Sequence, residues 1–150
     1  MSQTAADTRP RVLPEAIKME GAPKGAPLSP HLSIWKWTPA GLTSILHRAT
    51  GIANAAGLTL LTAWLAAGAI GEGAYGVVTA ILGSPFGLVI LFGFTLSVMY
   101  HLTNGVRHLI WDSGRMLSRE HRIPSAYGVY AIAILLTALV WLAAFTVAGR

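Results

Sequence analysis

A chain of 150 residues that is 53% hydrophobic and only 11% charged lacks the surface of a water-soluble domain, where roughly a quarter of residues carry charge. Its formal net charge of +5 does not point to nucleic acid, because the basic residues flank long uncharged apolar runs. Cysteine is absent, which excludes disulfides, thiolate zinc sites and cysteine-held iron–sulfur clusters and leaves histidine as the obvious ligand for any iron.

Residues 1–40 read as a cytoplasmic N-terminal tail that ends in an interfacial segment. Pro10, Pro14, Pro23, Pro27 and Pro30 preclude a long helix there. The opening decapeptide contains Asp7 and no apolar core, so it does not read as a secretory signal. Glu15 and Glu20 do not suit a mitochondrial transit peptide, which is poor in acids. Trp35 and Trp37 around Lys36 suit the membrane–water boundary, and His31 reads as an interface residue. Pro39 then closes this segment, and a helix can begin near Gly41.

Residues 41–150 read as a three-span transmembrane domain. About 20 apolar residues cross the roughly 30 Å hydrocarbon layer. Three runs are long enough, at about 43–70, 85–110 and 125–147. Ser84 with Pro85, and Pro124, mark the starts of the second and third. Open sheet is not viable in lipid, so the runs are expected to be helices. The stretch from Gly71 to Ser84 reads as a loop, and His121 as a loop residue.

Orientation follows from Lys and Arg. Arg9, Arg11, Lys18, Lys24, Lys36 and Arg48 precede or open the first span, and Arg107, Arg115, Arg119 and Arg122 surround the second loop. Only Arg150 follows the third span. The expected fold is therefore all-α: an integral membrane bundle of three transmembrane helices, N-terminus cytoplasmic and C-terminus outside. A bacterial inner (cytoplasmic) membrane is the expected location, with the mitochondrial inner membrane as the alternative.

Two polar sets interrupt the apolar helices, and polar residues in a membrane usually face the protein interior. Ser44, His47 and Arg48, in SILHRATG, lie at i, i+3 and i+4 on one helical face. They bring together a hydroxyl, an imidazole and a guanidinium, groups that hydrogen-bond carbonyls and anions. The alternative is a snorkelling Arg48 and a capping Ser44. The second set is His101, Gly105, His108 and Asp112, in HLTNGVRHLIWD, again on one face. His101 lies eleven residues before Asp112, roughly 16 Å deeper at 1.5 Å per residue. An imidazole at that depth needs a partner, either a haem iron or a neighbouring helix. Gly105 would leave room for a flat macrocycle. His101 and His108 are about 10 Å apart along the axis, so one iron cannot take both. The opposite axial ligand would come from another helix or another subunit. His47, Arg48 and His108 lie where they could meet haem propionates.

Three strings in this order, LSPHLSIW (28–35), SILHRATG (44–51) and HLTNGVRHLIWD (101–112), resemble the cytochrome b subunits of succinate dehydrogenase, the larger membrane anchor of respiratory complex II. The resemblance implies haem b, with His101 as one axial ligand and the other supplied by a second small anchor subunit. It implies a ubiquinone site with Ser44, Arg48 and Asp112, and propionate contacts from His47, Arg48 and His108. It also implies an iron–sulfur subunit and a flavoprotein as partners, membrane lipid around the chain, and electron transfer to quinone. No nucleotide loop or flavin motif is present, so any catalysis would belong to the complex. A fumarate reductase anchor or another b-type cytochrome would share these features. A non-redox membrane scaffold is the alternative of a different class.

Overall fold

The structure, a computed structural model, describes residues 37–149. The proline-rich tail, His31 and most of the interfacial segment lie outside the described residues. Four helices follow: α1 (Pro39–Ile70), α2 (Glu72–Gly83), α3 (Pro85–Asp112) and α4 (Arg119–Ala148). Three of them, α1, α3 and α4, are long and apolar enough to cross a membrane.

The boundaries follow from local chemistry. Thr38 caps α1 by accepting from the Gly41 amide at 3.1 Å, and Pro39 fills the first turn, where an absent N–H costs nothing. Gly71 ends α1 at φ 140°, a conformation open to glycine and costly for other residues. Ser84 caps α3 in the same way as Thr38 caps α1, accepting from the Gly87 amide at 3.1 Å, with Pro85 behind it.

Two boundaries differ from expectation. The stretch after Gly71 is the helix α2 rather than a loop. Its glycines weaken helix propensity, but Ala74, Val78 and Leu82 form one half-buried face, and Tyr75 meets the Trp64 ring of α1. Packing overrides propensity there. Pro124 does not start α4 but lies inside it, one and a half turns from Arg119. Its position is past the four unpaired amides of the helix start, so the proline removes one backbone bond, the one to the Glu120 carbonyl, and the helix continues on both sides of it.

α3 packs most extensively, against α4 and α1. Small residues let the backbones approach: Ala126, Val129, Ala133 and Thr137 form the buried stripe of α4. Gly57 of α1 leaves a socket filled by the Phe94 ring, and no side chain would fit in its place. Of the small residues that suggested helix contacts, Gly51 and Gly57 make them, whereas Ala55, Ala56 and Gly93 are exposed.

The outside of the bundle is apolar: Ile52, Leu58, Phe86, Leu109 and Phe145 are each at least 60% exposed. The inside is as polar as it is apolar. Thr43, Ser97, Asn104, Arg107 and Thr137 are all buried. Arg107, which the orientation reading counted with the loop cations, is 6% exposed within α3. Its Nη1 donates to Thr43 Oγ1 at 3.0 Å and to Asn104 Oδ1 at 3.4 Å. Nε donates to Ser125 Oγ at 3.0 Å, and Nη2 to the Arg122 carbonyl at 3.1 Å. The guanidinium also lies 4.1 Å from the centre of the Trp111 ring. One side chain thus joins α1, α3 and α4, with neutral partners throughout. Tyr100 adds a bond to the Thr43 carbonyl at 3.0 Å, and Tyr130 one to the Pro39 carbonyl at 3.1 Å.

Replacing Arg107 with leucine leaves Asn104 Oδ1 without its donor, a loss of about 1–3 kcal/mol for one buried group. The variant is expected to unfold at lower temperature than the wild type in the same detergent. Arg107→Lys, which lacks the planar fork, should recover only part of the loss. Equal thermal midpoints for all three proteins would show that the network adds no stability.

Candidate functional site

Antiparallel packing sets residues 43–54 of α1 beside residues 97–108 of α3. Ser97 Oγ donates to Asn54 Oδ1 at 2.7 Å near the middle of this seam. One step along, three imidazoles meet. The His47 and His101 rings stack with centroids 4.0 Å apart and planes 13° from parallel. His47 and His108 centroids are 5.3 Å apart, and His108 sits edge-on to Trp111. The two polar sets read from the sequence therefore share one site through their histidines.

His101 is held closely. Its Nδ1 lies 3.2 Å from the His47 carbonyl and 3.2 Å from Thr50 Oγ1. A carbonyl only accepts, so Nδ1 carries the proton and donates. Thr50 Oγ1 sends its own hydrogen to the Leu46 carbonyl at 2.8 Å or the His47 carbonyl at 3.0 Å. Its lone pair is then free to accept from Nδ1. In this tautomer Nε2 of a neutral His101 is unprotonated and able to bind a metal. Gly51 lies against the ring: a Cβ there would be 3.4 Å from His101 Cε1. Gly105, one turn along the same face of α3, has nothing within 4 Å of where its Cβ would stand. His47 Nδ1 is buried with no hydrogen-bond partner, and Asn104 Nδ2 faces His108 Nε2 at 3.5 Å. An orphaned imidazole nitrogen is a place where a ligand oxygen fits.

Among the described residues no group of three His, Cys, Asp or Glu is arranged to hold a metal ion. The near-parallel stack of His47 on His101 also differs from two imidazoles pointing at one iron from opposite faces. Of the two sources considered for an opposite axial ligand, another helix of this chain is not supported by this geometry. A single axial imidazole with Nε2 free does fit the residues present.

The remaining site residues lie further out. Ser44 and Arg48 are both exposed on α1, one turn apart, with no hydrogen bond from either side chain among the described residues. Asp112 is exposed at the end of α3. Four contributors were not singled out from the sequence: Thr50, Asn104, Arg107 and Trp111. Asn104 and Arg107 carried a usable signal, since both are polar, three residues apart, and flank Gly105 and His108. Thr50 carried none, because a threonine in a membrane helix usually bonds its own backbone.

Residues 22–140 match the family model described as the succinate dehydrogenase/fumarate reductase transmembrane subunit. The chain is similar to the succinate dehydrogenase cytochrome b556 subunit of Paracoccus denitrificans, with 38% identity over 113 residues, 75% of this chain and 87% of that one. It is 35% identical to the cytochrome b556 subunit of Rickettsia prowazekii (strain Madrid E) over 115 residues, 77% of this chain and 90% of that one. The mitochondrial cytochrome b560 subunit of Sus scrofa is 40% identical over 115 residues, 75% of this chain and 66% of that one.

Proposed function

The chain belongs to the succinate dehydrogenase/fumarate reductase transmembrane subunit family, and from that membership we propose that it is the cytochrome b anchor of a succinate dehydrogenase, helping to hold haem b and quinone. The observation that carries this reading is the meeting of His47, His101 and His108 across α1 and α3, with Nδ1 of His101 committed to a carbonyl and Nε2 left free. The relatives described above are succinate dehydrogenase subunits, which favours that enzyme over a fumarate reductase.

His101 would give one axial ligand through Nε2, and a second small anchor subunit would give the other. Bound there, haem b would supply a one-electron store within the membrane. His47 and His108 would offer N–H donors to propionate oxygens, and Arg48 a charge-assisted pair. The exposed face of Ser44 and Arg48 would form part of the quinone pocket, closed by partner subunits. Ser44 would donate its hydroxyl to a quinone oxygen. Arg48 would stabilise the negative charge that builds there as electrons arrive from the iron–sulfur subunit. Asp112 would lie on the proton route to that pocket. A flavoprotein bound to the iron–sulfur subunit would carry out succinate oxidation.

The N-terminus and the α3–α4 connection would face the cytoplasm. Arg115, Arg119 and Arg122 lie in or beside that connection, and Glu72 is the one charged residue between α1 and α3.

Three outcomes test this reading. His101→Ala should lose haem from the purified complex, measured as the reduced b-type spectrum per flavin; full haem content would refute the ligand assignment. Ser44→Ala and Arg48→Ala should slow succinate–quinone reduction at least tenfold while succinate oxidation by an artificial dye acceptor stays near normal. Equal loss of both activities would argue against a quinone role. Because the sequence has no cysteine, single cysteines report topology directly. Ala148→Cys should react with an impermeant maleimide in intact cells, and Met116→Cys only after permeabilisation; the reverse would invert the orientation.

A further inference from the structure

The most constrained contact in the site involves a residue outside the polar sets. Thr50 Oγ1 stands 3.2 Å from His101 Nδ1 while its hydrogen is occupied by the carbonyl of Leu46 or His47, at 2.8 Å and 3.0 Å. Thr50 is half-buried on α1, and its own carbonyl, 3.3 Å from Ser97 Oγ of α3, shares that single hydroxyl hydrogen with the closer Asn54 Oδ1 at 2.7 Å. This residue is therefore fixed from both helices. We propose that Thr50 is a positioning residue for the haem site: its hydroxyl oxygen, together with the His47 carbonyl, holds the Nδ1–H of His101 so that Nε2 is presented in one orientation and with raised basicity.

The physical basis is general. An imidazole that binds a metal through one nitrogen and donates its other N–H to oxygen gains imidazolate character, and such outer partners fix the tautomer and tune the metal. Two acceptors at equal distance share one proton here. Thr50 is the one of the two that a side-chain substitution can remove, since the other is main chain. A hydroxyl whose own hydrogen is donated onward is also a better acceptor, because linked hydrogen bonds polarise one another. Removing it leaves His101 with a single acceptor. The imidazole then donates less electron density, and the reduced state of a bound iron is favoured. Hydrogen bonding around an axial ligand is one of the levers by which a protein sets haem potential.

This inference rests on the reading of His101 as an axial ligand, and the experiment separates the two. Thr50→Val, Thr50→Ala and Thr50→Ser are compared with His101→Ala in the intact purified complex. Haem per flavin is read from the reduced-minus-oxidised spectrum and the haem midpoint from a redox titration. Thr50→Val and Thr50→Ala should retain haem with the midpoint shifted upward, and Thr50→Ser should stay near the wild type. Loss of haem from the valine and alanine variants alone, with flavin content unchanged and serine rescuing it, would equally support the proposal. An unmoved midpoint in haem-loaded Thr50→Val or Thr50→Ala would overturn it. If those variants behave as the wild type while His101→Ala loses haem, only the role of Thr50 fails. Haem retained by His101→Ala would remove the underlying reading instead.

Discussion

A guanidinium buried with no carboxylate partner among the described residues organises this bundle. In water, apolar burial would drive α1, α3 and α4 together. In lipid that force is weak, because acyl chains are as apolar as leucine, and helix association depends on packing and interhelical hydrogen bonds. Arg107 concentrates such bonds on one side chain: Thr43 from α1, Asn104 from its own helix, Ser125 and the Arg122 carbonyl from α4. A charge inside a membrane protein is tolerated only if nearly every donor is used, and the planar fork allows several neutral acceptors at once. Trp111 covers one face of the cation. The network stands one turn from the imidazoles and touches them through Asn104, so the support of the fold and the geometry of the site are continuous.

The same economy shapes the interior as a whole. Buried side chains are mostly small or polar, and the large apolar ones face outward. Where a helix must approach closely, a small residue makes room, as Gly57 does for Phe94. This leaves the interior free to hold groups that lipid would exclude.

Much of this was legible in the sequence. The three spans stand out by length and lack of charge, and the caps Ser84 with Pro85 fall where the helix starts. Periodicity placed His47 on one face and His101 with His108 on another, and in the structure those faces meet. The rest required tertiary context. Arg107 looked like a loop cation because it lies five residues from the end of α3; only the approach of α4 buries it. α2 was hidden by Gly73, Gly76 and Gly83, which argue for a loop until the contact with Trp64 is known. Pro124 reads as a start signal, yet a proline near the beginning of a helix does not set where the helix begins. Thr50 reads as an ordinary membrane threonine, because its distinction is a neighbour fifty-one positions away.

The α1–α3 seam has a further consequence. Moving back along α1 through 57, 54, 50 and 43, the partners on α3 are 94, 97, 101 and 107, so the first three pairs keep one antiparallel register and the fourth departs from it by a single residue. The four tie points differ in kind: a ring in a socket, an amide with a hydroxyl, an imidazole with a hydroxyl, a cation with a hydroxyl. Sliding one helix past the other by a single turn would mismatch all four together, setting Val98 or Ile90 at the Gly57 socket in place of the ring. The seam works as a keyed lock with one permitted setting. A newly inserted pair of helices would be checked for depth along most of its length before any prosthetic group arrived.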